Sequence, residues 1–421
     1  MAPEVRGAFP IGEVRAAFPA LAVRDDGRPR IYFDAPGGTQ VCTDAIEAMA
    51  AHLSRGTANA GGAFATSRAT DALSREAHVA AADLLGGDPG EIAFGPNMTT
   101  LTFAVSRALA REWKAGDELV VTRLDHDANV APWLMAAADR GMTVRWLDFD
   151  PLTGELRLDQ LAGLLGTRTR LVAVGGASNA LGTLNDLPAI VEIVRRRSDA
   201  LVYVDAVQSA PHVPIDVRAI GCDFLTCSPY KLFGPHQGVL WGRAEAMKRL
   251  VAYKVRPAST SPAAARFETG TPSFEGQAGV IGMIRYLERL GEKLSSAMTT
   301  RRERLIAAMQ GCAEYERSLA ERLLAGLSRL NSVRLYGPPG VDGRVPTFAF
   351  TVEGHAPRAV AEHLAERGVF AWSGHFHAVE TIAALGLAES GGLVRVGLCH
   401  YNTGQEVDAV LEALAELGRS G

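Results

Sequence analysis

Leu201-Val202-Tyr203-Val204-Asp205 and, 26 residues beyond that aspartate, Lys231 within Cys227-Ser228-Pro229-Tyr230-Lys231-Leu232-Phe233-Gly234-Pro235 decide how this chain reads. The first segment is a short apolar run that ends in a carboxylate. The second sets a lysine in a turn punctuated by proline and glycine. Short apolar runs bounded by turn residues predict buried strands. An enzyme that uses pyridoxal 5′-phosphate needs an amine to hold the cofactor as a Schiff base, and a carboxylate to keep its pyridine nitrogen protonated. Lys231 and Asp205 have the chemistry for those two tasks. The purely structural reading is that aspartate often closes a buried strand and lysine often occupies a turn.

Neighbouring segments end in the same way. Glu118-Leu119-Val120-Val121-Thr122 leads into Leu124-Asp125-His126-Asp127-Ala128-Asn129, and Leu171-Val172-Ala173-Val174 leads into Ala177-Ser178-Asn179. Ligands of open α/β sheets bind outside the carboxyl ends of the strands, so His126, Asn179 and Asp205 are predicted to converge on one site. Gly95-Pro96-Asn97-Met98-Thr99-Thr100 precedes the helical pattern Leu101, Phe103, Val105, Leu109. The N–H groups of such a helix start suit a phosphate; an ordinary threonine cap is the plainer reading.

From about residue 41 to 290, apolar runs alternate with longer periodic segments, the pattern of a largely parallel sheet covered by helices. Leu305, Met309, Cys312, Tyr315, Leu319, Leu323 and Leu327 then recur at helical intervals, as expected for one helix packed between two domains. The remainder reads as a smaller α/β unit. It has a strand candidate over Val345 to Val352, a helix over Pro357 to Arg367, a strand over Leu393 to Leu398 and a last helix over Gly404 to Leu417. The expected division is 1–40 as an N-terminal arm, 41–295 as the large cofactor domain and 296–421 as the small C-terminal domain.

The 421 residues are 47% hydrophobic and carry a formal net charge of −4. No basic face or run of like charge suggests nucleic acid as a partner. No stretch approaches the roughly 20 apolar residues of a membrane span, and Met1 to Arg6 lack the apolar core of a signal peptide. These features predict a cytoplasmic enzyme with reduced cysteines. No cysteine pair has zinc-ligand spacing.

Together with Phe33-Asp34-Ala35-Pro36-Gly37-Gly38-Thr39, Asp205-Ala206-Val207-Gln208-Ser209, Phe267-Glu268-Thr269-Gly270-Thr271-Pro272 and Val394-Arg395-Val396-Gly397-Leu398-Cys399-His400, these segments resemble the cysteine desulfurase branch of the class V aminotransferases. The resemblance runs from about Tyr32 to about Asn402. It implies the α/β architecture of fold type I pyridoxal-phosphate enzymes, a mostly parallel seven-stranded sheet with a smaller C-terminal domain. It further implies that Lys231 carries the cofactor, Asp205 pairs with the pyridine nitrogen and His126 stacks on the ring. Asn179 and Gln208 would contact the ring hydroxyl, Met98 would be a further cofactor contact, and Thr99, Ser228 and, from the other subunit of a homodimer, Thr271 would hold the phosphate. Arg395 would bind the carboxylate of a small amino-acid substrate, a task suited to a planar bidentate cation.

Two positions depart from the family pattern. Tyr230 stands where a histidine commonly precedes the lysine, and tyrosine is the weaker acid-base partner at neutral pH. In Phe370-Ala371-Trp372-Ser373-Gly374-His375-Phe376-His377-Ala378, His377 aligns with the cysteine that attacks sulfur in desulfurases. The five cysteines, at 42, 222, 227, 312 and 399, all fall elsewhere. Cys222, Cys227 and Cys312 read as packing residues; Cys42 and Cys399 lie beside motif segments from which a thiol could approach the site.

A relative without that cysteine can still break a C–S bond, by β-elimination to pyruvate and ammonia. Epimerisation and aminotransfer are the alternatives, since each begins with loss of the α-proton to the freed lysine. A true desulfurase using Cys42, Cys399 or another protein's cysteine, and a non-catalytic sulfur-relay scaffold, complete the set. The loop's Trp372, His375, Phe376 and His377 fit assistance to a leaving group and equally fit simple aromatic packing. Across the expected site, Thr57 to Phe64 is glycine-rich and resembles the family's substrate-side loop, which makes Asn59 a substrate-binding candidate. Arg68 nearby reads as solvated.

Overall fold

The computed structural model describes residues 9–418. Its central sheet has seven strands in the order Ile92–Gly95, Gly238–Gly242, Phe224–Cys227, Leu201–Asp205, Thr169–Gly175, Glu118–Thr122 and Thr143–Leu147. Only Gly238–Gly242 runs antiparallel to its neighbours. The chain thus adopts the expected α/β class. The central strands are buried along their whole length because helices cover both faces. Successive side chains point to opposite faces, so Leu119, Val121, Ala173 and Tyr203 join one core while Val120, Val174, Val202 and Val204 join the other.

A second sheet of four antiparallel strands follows, in the order Val333–Tyr336, Thr347–Val352, Leu393–Gly397 and Trp372–Gly374. Its core draws Phe348, Phe350, Val394 and Val396 together with Val360 and Leu364 of the helix Pro357–Glu366 and Val407, Val410 and Leu414 of the helix Gly404–Leu417. The edge strand Trp372–Gly374 lies in the stretch that reads as loop in the sequence. Its Trp-Ser-Gly composition has no alternation to announce it, and pairing with Leu393, Val394 and Arg395 imposes the extended form.

One helix, Arg301–Leu327, belongs to both cores. Leu305, Met309 and Cys312 pack with the large sheet, whereas Leu319, Leu323 and Leu327 pack with the small one. A capping box between Thr300 and Glu303 starts it.

The N-terminal segment also joins the two units. Ile31–Tyr32 pairs in parallel with Val369–Phe370, and the Gly397 N–H donates to the Phe33 carbonyl at 2.8 Å. Phe18, fully buried, meets Phe233 and Tyr286 of the large unit and Tyr401 of the small one edge-on. Met1 to Arg6, in which no signal peptide is read, lie outside the described residues. Among the described residues, no helix is long and apolar enough to cross a membrane.

Candidate active site

The carboxyl ends of four neighbouring parallel strands supply the polar groups of one cavity. Glu118–Thr122 runs on to His126, Thr169–Gly175 to Asn179, Leu201–Asp205 ends on its carboxylate, and Phe224–Cys227 runs into the Ser228 to Lys231 turn. All of these side chains, with Met98, Thr99, Gln208 and Tyr230, line a cavity of about 510 Å³. A second cavity, about 870 Å³, shares His126, Asn179, Tyr230 and Lys231 with the first and adds Arg395, Trp372, His375, Phe376 and His377.

Pro229 opens a short 3-10 turn over Pro229–Lys231 that presents the lysine. The Lys231 N–H donates to Ser228 O at 3.0 Å, and the Leu232 and Gly234 N–H groups both donate to Pro229 O. The Ser228 hydroxyl accepts the Met98 N–H at 3.1 Å, tying this turn to the start of the helix Met98–Ala110. Asn97 caps that helix by accepting from the Thr100 N–H at 2.8 Å. Gly238 has to be glycine, because a Cβ there would overlap the backbone of Asn97.

His126 is positioned by a residue that sequence reasoning left without a role. The buried Asp125 carboxylate accepts from Thr122 Oγ1 at 2.8 Å, Gly175 N at 2.9 Å and Asn129 Nδ2 at 2.7 Å, locking two strand ends together. Burial raises its pKa to about 7. His126 Nδ1 accepts the Ala128 N–H at 3.0 Å, which leaves the proton of a neutral ring on Nε2. Burial, with the positive charges of Lys231, His377 and Arg395, pushes His126 down to about 3, so the ring is neutral at physiological pH.

Lys231 is buried, and burial together with the Arg395 charge lowers it to about 7, against a partial upward pull from Asp205. Asp205 is itself raised to about 6 by burial, although Lys231 and the Val207 N–H favour its charged form. The site therefore holds an amine poised to be neutral and a carboxylate poised for a cationic partner. Arg395 is also buried, and burial lowers it to about 9. Its Nη1 donates to Asn179 O at 2.7 Å, and its guanidinium lies 4.3 Å from the Phe376 ring centroid.

Buried polar atoms rarely lack partners, because an unmet acceptor costs about 1–3 kcal/mol. Asn179 Oδ1, Gln208 Oε1 and Arg395 Nε are buried and unpartnered among the described residues. Asn179 Nδ2 is held by Phe376 O at 2.7 Å and Gln208 Nε2 by Thr347 Oγ1 at 3.0 Å, so both amides are fixed with one end unmet. With Lys231 and Asp205 beside them, this set fits pyridoxal phosphate: an amine for the aldehyde, a carboxylate for the ring nitrogen, amide groups for the ring hydroxyl, and a helix start with Thr99 and Ser228 for the phosphate.

The structure brings together Lys231, His126, Asp205, Tyr230, Gln208, Asn179, Thr99, Met98 and Ser228 in the first cavity, and adds His375, His377 and Arg395 in the second. It does not bring Asn59 or Thr271, both exposed and outside the lining of either cavity of the single chain. Cys42 and Cys399, the two thiols that could have approached the site, are fully buried and line neither cavity; burial pushes Cys42 up to about 12 and Cys399 upward too. Besides Asp125, sequence reasoning gave no role to Asp34 or Thr347. Asp34 Oδ1 is buried without a partner, and the Arg395 charge opposes the burial that raises this carboxyl to about 6. Its position inside the Phe33 to Thr39 motif was the available signal.

The aminotransferase class-V family profile matches residues 31–410. An uncharacterized protein of Mycobacterium tuberculosis (strain CDC 1551 / Oshkosh) is 35% identical over 412 residues, covering 98% of this chain and 100% of the other. An aminotransferase-like protein of Gibberella zeae is 33% identical over 416 residues, covering 96% of this chain and 98% of its own. The apo structure of a cysteine desulfurase from Thermococcus onnurineus NA1 matches with a TM-score of 0.87 at 27% identity, covering 100% of both chains.

Proposed function

Because the chain belongs to the aminotransferase class-V family and is a pyridoxal-phosphate-dependent enzyme, we propose that it cleaves the β-carbon–sulfur bond of a small, cysteine-like amino acid by β-elimination. The observation that carries this reading is the composition of the second cavity. Arg395, Lys231 and two loop histidines line it, and no cysteine does. Elimination needs an anchored carboxylate and a base, and it needs no sulfur nucleophile.

When bound, pyridoxal phosphate supplies an electron sink for charge that develops at the substrate α-carbon. Arg395 binds the substrate carboxylate, with Phe376 and Asn179 restricting its fork. Lys231 takes the α-proton; an amine lowered to about 7 is matched to that task. His126, neutral and half-buried, packs beside the reacting centre without adding positive charge. Tyr230 is stacked on His236, with ring centroids 4.8 Å apart, and burial raises its hydroxyl, which suits a wall better than a proton carrier.

A homodimer is part of the same reading. Phe64, Leu53, Tyr253 and Val255 are each more than half exposed, a large apolar area to leave in water. Asn59 and Thr271 would reach a site only from a neighbouring subunit. A cytoplasmic setting is consistent with five free cysteines.

The deciding experiment incubates the cofactor-loaded protein with L-cysteine, L-cystine and an S-substituted cysteine, and quantifies sulfide, pyruvate and alanine together. Pyruvate is the expected product. Alanine with protein-bound persulfide would overturn elimination in favour of desulfuration. Aminotransfer is the second reading, favoured by likeness to the aminotransferase-like protein of Gibberella zeae, and a keto acid formed without sulfur release would establish it.

A further inference from the structure

The loop at the mouth of the second cavity holds two consecutive non-glycine residues in the left-handed region, Phe376 at φ 53° and His377 at φ 58°. Such a conformation is unfavourable for residues with a side chain and persists where surrounding contacts enforce it. Here they do. Asn179 Nδ2 donates to Phe376 O at 2.7 Å, the Asp127 N–H donates to His377 O at 2.7 Å, and the His377 N–H donates to His375 Nδ1 at 3.0 Å. The first two bonds cross from one domain to the other. The consequence of the double turn is a division of labour: Phe376 lies under Arg395, while the His377 ring sits over His126 with centroids 5.3 Å apart and a 33° tilt.

The departing group of a β-elimination needs a proton, and few groups in this cavity can give one. Among the described residues, no carboxylic acid or thiol lines it. Lys231 is committed to the α-proton. His126 is half-buried, with Nδ1 engaged by the Ala128 N–H and the ring held neutral, so its single Nε2 proton is not readily replaced once given up. Tyr230 is stacked on His236. His375 Nδ1 is engaged by the His377 backbone, and its ring meets that of His377 edge-on. Among the described residues lining this cavity, His377 combines a ring held beside that of His126 with exposure to water that can restore its proton.

We infer that the His377 imidazole donates the proton taken up by the sulfur leaving the substrate β-carbon, with His375 as the residue that positions it. This rests on the elimination reading above. The α-proton passes to the Lys231 amine, and the electrons of that C–H bond form the new carbon–carbon double bond. The electron pair of the breaking C–S bond leaves on sulfur, which takes a proton from His377; His377 takes one from water. After hydrolysis the products are a thiol, pyruvate and ammonia, with no oxidant or reductant required.

The test uses His377→Asn in the cofactor-loaded enzyme, because asparagine tolerates the left-handed backbone and lacks the acid. Pyruvate release is measured from S-alkyl-L-cysteine, whose thiolate is strongly basic, and from β-chloro-L-alanine, whose chloride leaves without a proton. General-acid loss predicts a fall of about 10²–10⁴-fold on the first substrate and a loss at least tenfold smaller on the second. Equal losses on both would make His377 merely structural and overturn the inference. A readout independent of turnover is the His377 ring resonance, assigned by its absence in the variant. It is expected to shift when S-methyl-α-methyl-L-cysteine binds, a probe that has no α-proton to lose; an unmoved resonance counts against the assignment. Wild-type enzyme that releases no pyruvate from either substrate would overturn the elimination reading itself, and this inference with it.

Discussion

Arg395 lies over the Phe376 ring, the guanidinium carbon 4.3 Å from the ring centroid, while Arg395 Nη1 is fixed by Asn179 O. Held on two sides, the fork cannot swing away from an incoming carboxylate. Arg395→Lys keeps the charge and loses both the plane that stacks and the paired donors. The expected result is a fall of roughly 30- to 1,000-fold in kcat/KM, carried mainly by KM, since one or two charge-assisted hydrogen bonds are worth about 1.5–3 kcal/mol each. Steady-state kinetics on the substrate identified by product analysis checks it.

Lys231→Ala should abolish both the Schiff-base absorption band and turnover, while circular dichroism and elution volume stay unchanged. Retained turnover would remove Lys231 from the mechanism.

Burial of Lys231 also has a signature in the stability of the cofactor-free protein. Its pKa falls from 10.5 unfolded to about 7 folded. Between those values the unfolded chain holds a proton that the folded chain has released, so stability rises with pH across that window. Lys231→Met removes the group and its penalty. The variant should therefore melt above wild type by the widest margin at or below pH 7, with the margin closing toward pH 10.5. The penalty is on the order of a few kcal/mol, and calorimetry on both proteins at several pH values reads the trend. A margin that widens with pH would contradict the assigned cause.

Gly37 has no side chain because the indole nitrogen of Trp372 occupies the place where a Cβ would be. Trp372 is half exposed and free to yield. Gly37→Ala should displace the indole, raise KM several-fold and shift tryptophan fluorescence, with little change in melting temperature. A large loss of stability would mean that the contact serves folding rather than the cavity.

How far the sequence was legible follows from what each segment's pattern encodes. Glu118–Thr122 and Leu201–Asp205 occupy the strands their apolar runs predict, because a strand buried on both faces is written in its composition. Gly404–Leu417 matches its periodic pattern, with a Thr403 and Glu406 capping box at its start. Trp372–Gly374 was illegible, since an edge strand of three residues is made by its partner and not by its own preferences. The site divides the same way. Lys231, Asp205, His126 and Asn179 could be read because each lies at or just beyond the carboxyl end of a strand whose direction is fixed by the sheet. Asp125 was hidden beside His126, where its role depends on Thr122, Gly175 and Asn129 arriving together. The paired left-handed residues at Phe376 and His377 have no glycine to signal them; the contacts that enforce them come from residues some 200 positions away.

The pairing of Ile31–Tyr32 with Val369–Phe370 sets a schedule for the chain as it is made. The partner strand is synthesised 338 residues later, which at about 5–20 residues per second is a wait of roughly 20–70 s. During that interval Phe33, which has no exposed surface in the finished fold, has no core to enter, because the strands it joins around Phe348 and Val396 do not yet exist. The large sheet can close first; the strand Ile31–Tyr32 cannot pair until Val369–Phe370 has emerged. Loss of Val369–Phe370 would thus leave Ile31–Tyr32 unpaired, and nascent chains stalled before residue 369 should recruit holding chaperones through Ile31 to Phe33.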